Sequence, residues 1–222
     1  MSTIALLAAV AGFVDAACFL GLNEVFTAHV TGNIAGLASS LFKPSPVALL
    51  RVEVLIAFAA GAVGARIITL GRKADTPMRT LQCIVANEAL WLALVVAAEL
   101  LLVDGALKRY AIAGCASAAM GCQSAASKLP SGIGLPTTVM TSNYTQWPIS
   151  LLEALLARGS EASQRNAAFA SLVSMTVALL SFAVGAIAGA ACESGAGFVM
   201  LGIPLAALLV WSAMTALRSQ RA

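Results

Sequence analysis

Six stretches of about 20 mostly apolar residues decide what this chain can fold into. A helix rises 1.5 Å per residue, so roughly 20 apolar residues cross a hydrocarbon core about 30 Å thick. Lipid offers the backbone no hydrogen bonds, so each such stretch has to be helical. The sequence therefore predicts an all-α membrane protein with about six transmembrane helices in a single domain over residues 1–222. The six stretches are residues 4–22, 47–70, 80–103, 110–129, 167–191 and 197–217.

The amino-acid composition supports lipid as the surrounding solvent. Of the 222 residues 60% are hydrophobic and only 10% are charged, whereas a soluble domain carries about 25% charged residues. The net charge of +3 comes from basic residues at the ends of the apolar stretches. That placement is typical of membrane topology and not of a nucleic-acid interface. We expect the lipid bilayer as a partner and no nucleic acid.

Two further segments, residues 31–42 and 141–157, do not suit a full crossing. The first would form about 18 Å of helix, and the second contains Pro148, which breaks or kinks a helix. A polar or turn-rich stretch precedes each of them, at residues 23–30 and 129–138. Non-helical backbone at membrane depth is tolerated only inside protein or beside a water-filled cavity. The pattern predicts an extended stretch followed by a short half-helix, twice.

Sequence matches in the same order indicate that the chain is an internal duplication. We place repeat one at about 1–105 and repeat two at about 106–222, with an insertion at residues 158–164 in the second. Alanine and glycine are common here, so each match alone is weak, and the shared order carries the prediction. Segments 12–17, 27–33 and 58–62 match segments 121–126, 137–143 and 182–186.

The distribution of positive charges favours three crossings in each repeat. If the short helices do not cross, nine Lys and Arg residues lie on the side of the N-terminus and four on the other. If the short helices cross, the split is eight to five. The positive-inside rule prefers the first arrangement. Three is an odd number, so the second repeat would be inverted relative to the first, as in many transporters with broken helices.

The motifs of both halves resemble the YoaK-like family of bacterial integral membrane proteins, a family of unknown function. The resemblance spans nearly the whole chain and implies about six membrane spans and a multi-pass location in the inner (plasma) membrane, but it implies no substrate. Members usually carry Asn where this chain has Ser124, and Gly where it has Ser142. The motifs lie at residues 11–16, 26–33, 119–125 and 136–143.

Asp15 is the strongest single candidate for a functional residue, because it places a carboxylate near the middle of the first apolar stretch. A charge at the centre of a membrane helix costs about 2.5–3.5 kcal/mol on insertion scales. In a structural reading, Asp15 pairs with a backbone break or with an internal Arg or Lys. In a functional reading, it is part of a substrate, ion or proton site. Both readings stay open.

His29, the only histidine, lies two residues before Thr31 in the first polar stretch. It is either a structural hydrogen-bonding group or a contact for a solute or proton. A lone histidine cannot form a metal cluster, and the five cysteines fit small buried side chains better than disulfides or metal ligands. We therefore expect no metal and no cofactor.

Thr31-Gly32-Asn33 and Thr141-Ser142-Asn143 each indicate the start of a short helix, where backbone N–H groups are free and the dipole is positive. Two such starts aimed at one midplane position would form a site for an anion or polar solute. Thr and Asn are also ordinary helix caps, so both readings stay open. The candidate substrate-binding residues are Asp15, His29, Thr31, Gly32, Asn33, Gln123, Ser124, Thr141, Ser142 and Asn143.

Arg51, Glu53 and Glu88 are candidates for structural ion pairs, with Glu88 expected to meet Arg51 or Arg66. No hydrolase, nucleotide-binding or zinc-protease motif occurs in the sequence, so we expect no enzymatic activity and no catalytic residue.

The first functional hypothesis is a small-solute transporter or permease, with proton coupling as an option. The alternative is a non-transporting membrane scaffold or sensor, which predicts a sealed interior with no cavity joining the two breaks. Homo-oligomerisation through glycine motifs such as Gly61-x-x-Gly64 stays open, because packing within the chain explains these glycines equally well.

Overall fold

A computed structural model describes residues 2–70, 76–129, 133–138, 140–156 and 162–219 of the chain. Within these ranges the backbone is helical wherever it is regular, which confirms the predicted all-α class. Parts of the predicted insertion and of the second extended stretch lie outside the described residues, as do Arg72, Lys73, Arg158 and Arg221. The helices are α1 Thr3–Gly21, α2 Val30–Ser39, α3 Ala48–Leu70, α4 Pro77–Leu101, α5 Ala106–Ala126, α6 Met140–Leu156, α7 Ala162–Ala196 and α8 Gly202–Ser219, with a short 3-10 helix at Gly197–Leu201 between the last two.

Four helical stretches of the described chain are long and apolar enough to cross a membrane. They are Thr3–Gly21, Ala48–Leu70, Pro77–Leu101 and Asn166–Leu217, the last of which contains most of α7 together with α8. The remaining predicted span corresponds to α5, which is less apolar because it carries Ser117, Gln123 and several glycines and alanines. Many residues of α5 are nevertheless buried in the protein core, so its polar groups do not have to face lipid.

Glycines allow two pairs of helices to pack with their backbones in contact. Helix α1 packs on α7 and α3 packs on α5, and a Cβ atom on the contacting glycines would overlap a main-chain carbonyl oxygen of the facing helix. These glycines thus serve packing within the chain. The contacts join Gly12 to Phe182, Gly185 to Ala9, Gly121 to Phe58 and Gly61 to Ala118.

The two packed pairs correspond to each other under the sequence match of the halves. Gly121 is the counterpart of Gly12, and Phe58 is the counterpart of Phe182. The first helix of each half therefore packs on the second long helix of the other half, by the same contacts. Each half thus depends on the other for its largest helix–helix contact.

The first extended stretch turns back into the protein after α1. Asn23 and Glu24 adopt positive φ angles of 58° and 63°, which lets the chain reverse direction. The backbone then returns to Asp15, six residues before the end of α1, or about 9 Å from that end. Helix α2 leads out again, because the guanidinium of Arg51 lies against Gly36 and donates to the carbonyl of Glu24 at 3.3 Å. Entry and exit of this re-entrant segment are therefore at the same end of the bundle.

The second extended stretch, of which residues 133–138 are described, lies toward the opposite end of α1. Its Thr137 is bound by Gln123, near the end of α5, and the same Gln123 side chain donates to the carbonyl of Leu7. Helix α6 then packs on α7, with the indole N–H of Trp147 donating to the Thr176 hydroxyl at 2.8 Å. Pro148 lies inside α6, as the sequence indicates.

Candidate functional site

Asp15 is buried in α1 and holds the tip of the first re-entrant segment. Its Oδ1 accepts hydrogen bonds from the backbone N–H groups of Thr27 at 2.9 Å and Ala28 at 2.7 Å, and a longer one of 3.4 Å from the Thr27 hydroxyl. Charged acceptors make stronger hydrogen bonds than neutral ones. The carboxylate therefore satisfies two N–H groups that would otherwise be orphaned where the backbone is not helical.

His29 completes the coordination of Asp15 on its other oxygen. The ring Nδ1 lies 2.5 Å from Asp15 Oδ2, and its N–H donates to the carboxylate. Because Nδ1 keeps this hydrogen in both the neutral and the protonated ring, Nε2 is the nitrogen that gains or loses a proton. About 31% of the His29 side chain is exposed, so a proton can reach the pair through the imidazole.

A cavity of about 300 Å³ opens beside the Asp15–His29 pair. Two aromatic rings lie against the imidazole, Phe26 at 5.3 Å and Phe182 at 6.2 Å between ring centroids. Phe19 stacks on Phe26 at 4.5 Å. Asp15 and His29 are the polar members of an otherwise apolar lining, which Gly12, Ala16, Leu20, Ala186 and Ala190 complete.

Asn33 locks the start of α2 to the extended stretch. Its amide donates to the carbonyl of Phe26 at 2.6 Å and accepts from the Phe26 N–H at 3.2 Å. The expectation that Thr31 or Asn33 caps this helix is wrong, because α2 begins at Val30 with His29 in the N-cap position and no side-chain cap. Thr31 is exposed, Gly32 is half-buried against the Phe26 ring, and Asn33 is buried with its amide bound to the Phe26 backbone.

The second break has its own anchor, which is Gln123. The amide Nε2 donates to the Thr137 hydroxyl and to the Leu7 carbonyl, both at 2.8 Å. Gln123 is buried, whereas Ser124, which the sequence match aligns with Asp15, is only half-buried. The side-chain oxygens of Gln123 and Thr138 are buried without a hydrogen-bond partner among the described residues.

Asn143 repeats the role of Asn33 in the second half. Its amide donates to the carbonyl of Pro136 at 2.7 Å, over the same sequence separation as the bond from Asn33 to Phe26. Thr141 and Ser142 are exposed on the first turn of α6. The second break thus has a clamp of the same design, but neither an acid nor a histidine.

The ten candidate residues form two groups and do not converge on a single cavity. The first group surrounds Asp15, and the second surrounds Gln123 and its contact with Leu7. Asp15 and Leu7 are eight residues apart on α1, or about 12 Å along the helix. Among described residues, the cavity beside Asp15 takes its lining from α1, the first re-entrant segment and α7.

The expected ion pair of Glu88 with Arg51 or Arg66 is wrong. Glu88 is fully buried, and among the described residues neither of its carboxyl oxygens has a hydrogen-bond partner. For Glu53, the Oε2 atom is likewise buried without a partner among those residues. Arg51 donates instead to the Glu24 carbonyl, and Arg66 donates to the Thr69 hydroxyl. Helix α4 is apolar on all sides, so its sequence does not reveal which neighbour Glu88 faces.

Two features of the site escape sequence reasoning. The Ser117 hydroxyl of α5 lies 2.7 Å from the Val54 carbonyl and 3.2 Å from the Thr27 carbonyl, and so ties α3 and α5 to the re-entrant tip. Phe182 reaches His29 from a distant part of the sequence. The match of Phe182 with Phe58 predicts the repeat, but neither residue type predicts a contact with His29.

A separate polar cluster lies where α4 ends and α5 begins. Lys108 Nζ is 3.1 Å from Glu99 and 2.9 Å from Asp104. In the connection between the helices, the Lys108 ammonium holds the pKa of Asp104 below its ordinary value, through a hydrogen bond and charge attraction. This cluster therefore ties the helix ends together, with Asp104 exposed and the Lys108 and Glu99 side chains largely covered.

The sequence of the chain also matches a known protein family over almost its full length. The family model described as "Protein of unknown function (DUF1275)" matches residues 3–214. The chain belongs to the DUF1275 family. Among DUF1275 relatives, it is 28% identical over 210 residues to the UPF0700 transmembrane protein YoaK of Bacillus subtilis (strain 168), covering 91% of this chain and 88% of that protein.

No solved structure matches this DUF1275 chain. The resemblance to YoaK-like membrane proteins that the motifs indicate is thus confirmed. The chain is a membrane protein of this family, and its activity has to be proposed from the site.

Proposed function

We propose that this chain is a small-solute transporter or permease of the inner (plasma) membrane, coupled to protons through Asp15 and His29. The observation that carries the proposal is the position of this pair. A buried carboxylate binds an imidazole at the tip of a re-entrant segment, next to a cavity of about 300 Å³. Ionisable residues inside a membrane protein commonly mark the path of a substrate or proton.

Inverted repeats are the second element of the proposal. The equivalent glycine contacts of α1 with α7 and of α5 with α3 support a duplicated architecture. The two breaks lie toward opposite ends of α1, as an inverted pair of repeats requires. Transporters built this way alternate access by rocking one unit against the other, so we propose that the Asp15 side and the Gln123 side open in turn.

A membrane scaffold or sensor is the competing proposal, and one observation favours it. The breaks are separated by about 12 Å along α1, and Val10, Ala11 and Val14 on the intervening turns are fully or almost fully buried. In a scaffold this packing is permanent. In a transporter it is the closed gate of one conformation.

Reconstitution into liposomes separates the two proposals. Purified protein is tested for uptake of a panel of radiolabelled amino acids, organic acids, amines and sugars, with and without an inwardly acidic or inwardly alkaline pH gradient. We expect at least one solute to accumulate in response to the gradient. Asp15→Asn keeps the size of the side chain but removes its charge, so we expect it to reduce that uptake by at least about tenfold.

Asp104→Asn is the matched control, since it makes the same change at an exposed carboxylate that does not line the cavity. It should leave uptake within about twofold of the unmodified protein. Equal uptake by the Asp15→Asn variant, with an unchanged melting temperature, would show that Asp15 does not couple transport. Absence of gradient-driven uptake across the whole panel would favour the scaffold.

A further inference from the structure

We propose that the cavity beside Asp15 binds a hydrophobic organic monocation, and that this cation competes with the proton carried by His29. The inference rests on the proposed transport function and names its substrate class. Four features of the site support it: the sign of its charge, the aromatic walls, the acid close to the start of α2 and the half-open apolar rim.

The charge of the cavity favours a cation. Asp15 is itself part of the lining, and the other lining residues besides His29 are apolar. With His29 neutral, the site carries one negative charge. A bound anion would meet this carboxylate without a fixed cation among the described lining residues, whereas a cation would neutralise it.

The aromatic rings favour an organic cation over a metal ion. Phe26 and Phe182 lie 5.3 and 6.2 Å from the imidazole between ring centroids, and Phe19 stacks on Phe26 at 4.5 Å. Ring faces attract quaternary ammonium groups and other organic cations, most strongly where water is excluded. A small metal ion would instead need several oxygen ligands, and both oxygens of Asp15 already accept hydrogen bonds.

The start of α2 already has a negative charge close to it. Asp15 accepts the Thr27 and Ala28 N–H groups just before α2 begins. A solute anion that approached this helix N-terminus would therefore meet a like charge of the protein itself.

The rim of the cavity suits a ligand that arrives with an apolar body. Leu20 lines the cavity and is 51% exposed, on a helix long and apolar enough to lie in a membrane. The volume of about 300 Å³ is at the lower end for small-molecule sites. A single aromatic ring bearing a substituted ammonium group is of suitable size.

Competition with the proton follows from the single buried charge. When His29 is protonated at Nε2, the imidazolium already neutralises Asp15, and a second cation would leave an excess positive charge in an apolar cavity. Binding of the cation therefore releases one proton from Nε2, and protonation of His29 releases the cation. Charge balances in both directions, and this exchange is the coupling that an antiporter needs.

Other titratable groups lie near the Asp15–His29 pair, but they are not among the residues that line the cavity. Cys18 of α1 lies beside Thr27 and Asp15, and Glu193 of α7 acts on Cys18 from further away. Glu24 and Arg51 lie at the mouth of the segment, where Arg51 binds the Glu24 carbonyl. Helix α2 contains no titratable side chain, and α5 presents the neutral Ser117 hydroxyl to Thr27.

Equilibrium binding to the full chain in a non-ionic detergent tests the inference without any flux measurement. The probes are benzyltrimethylammonium, benzyl alcohol and benzoate, which share a phenyl ring and differ in charge. Calorimetry at pH 8 should show saturable binding of benzyltrimethylammonium and at least about tenfold weaker binding of the other two. Once His29 is protonated, each further unit of acidification should weaken cation binding by up to about tenfold.

Three variants test which residues are responsible for cation binding and for its pH dependence. Asp15→Asn should abolish saturable cation binding, and His29→Gln should retain binding but lose its pH dependence. Phe182→Leu should weaken binding of the cation more than that of benzyl alcohol. Phe58→Leu is the matched control, because Phe58 occupies the equivalent position in the other half, where its main chain meets α5, and it does not line the cavity. This variant should bind as the unmodified protein does.

Tighter binding of benzoate than of benzyltrimethylammonium would overturn the inference, as would cation binding that strengthens on acidification. Unchanged affinity in both Asp15→Asn and Phe182→Leu would do the same. Cation binding with the expected pH dependence but no transport in liposomes would uphold the cation site and reject the transport proposal. Gradient-driven transport of anions alone would reject the cation site and uphold transport.

Discussion

Asp15 and Glu88 are both buried carboxyl groups in helices, but their surroundings are opposite. Asp15 receives two backbone N–H groups and the imidazole of His29. Glu88 is fully buried, and neither of its oxygens has a hydrogen-bond partner in the part of the chain that the structure describes. A buried polar group without a hydrogen bond costs roughly 1–3 kcal/mol by mutational measurements. Glu88 therefore lowers the stability of this fold, whereas Asp15 holds a segment in place.

Glu88→Met should stabilise the protein, by about 1–3 kcal/mol, because it replaces an unsatisfied carboxyl group with an apolar side chain of similar length. Thermal unfolding in detergent, followed by circular dichroism, measures the change. Glu99→Met is the matched control on the same helix, since Glu99 has an ion pair with Lys108, and it should be neutral or destabilising. A lower melting temperature for Glu88→Met would mean that Glu88 has a stabilising partner in solution.

At the level of single residues, the sequence predicts more about the first half than about the second. An acid inside an apolar stretch and a lone histidine in the polar stretch that follows it are the reasons why the sequence singles out Asp15 and His29. The contact between Asp15 and His29 depends on how far the segment extends back along α1, and no residue type predicts that distance. In the second half the match of small residues points to Ser124, but the longer amide of Gln123, one position earlier, reaches Thr137 and the Leu7 carbonyl.

Each re-entrant segment is a strand-like stretch fastened by the Asn of the following helix. The Asn33 amide donates to the Phe26 carbonyl, and the Asn143 amide donates to the carbonyl of Pro136, the residue that corresponds to Phe26. A Cβ on Gly32 would come within 3.0 Å of the Phe26 ring. In the second half a smaller proline takes the place of that phenylalanine, which explains why Ser142 can replace the glycine.

Gly185→Ala should destabilise the protein by about 1–3 kcal/mol, because the added methyl group would push α7 away from the Ala9 carbonyl of α1. The equivalent change Gly61→Ala should have a similar effect on α3 and α5. Melting temperatures in detergent test both. Gly195→Ala is the control in α7, since a Cβ there meets nothing within 4 Å, and alanine should raise helix stability by up to about 1 kcal/mol. Equal stability of all three variants would argue against close backbone packing.

Helix existence and order follow from the lengths of the apolar stretches and from their polar interruptions. The sequence predicts α5 as a span from the apolar length of residues 110–129, although α5 is the least apolar of the long helices. What the sequence leaves open is rotation about each helix axis. A helix that is apolar on all sides does not show which residues face protein, and Glu88 on α4 illustrates this.

For the whole molecule, the contacts of Arg51 with Gly36 and Glu24 bring both ends of the first re-entrant segment to one end of the bundle. We therefore predict that the residues on either side of this segment face the side of the membrane opposite to the N-terminus. Single cysteines at Ser2, Ser45, Asp104 and Lys128, in a variant without the five native cysteines, can be labelled in intact cells with a membrane-impermeant maleimide. We expect labelling at Ser45 and Asp104 before permeabilisation, and at Ser2 and Lys128 only afterwards.

The same reagent checks whether α2 crosses the membrane. If α2 crossed the membrane, Ser45 would be labelled only after permeabilisation, as Ser2 is. Lys128 would then be labelled in intact cells, and Asp104 only after permeabilisation. Labelling of all four sites in intact cells, with the folded state preserved, would be incompatible with a helical bundle that spans the membrane in either arrangement.

The exchange of packing partners between the halves has a consequence for biosynthesis. Helix α1 leaves the ribosome first, but the helix against which its glycines pack begins only at Ala162. At about 5–20 residues per second, α1 waits roughly 10–30 s for α7. During that time the surfaces around Gly12 and Asp15 lack their final neighbours, so a chain that terminates after α4 would offer this unsatisfied helix to insertases, proteases or another copy. Until α7 has been made, α1 therefore exposes a surface by which a truncated chain differs from one that includes α7.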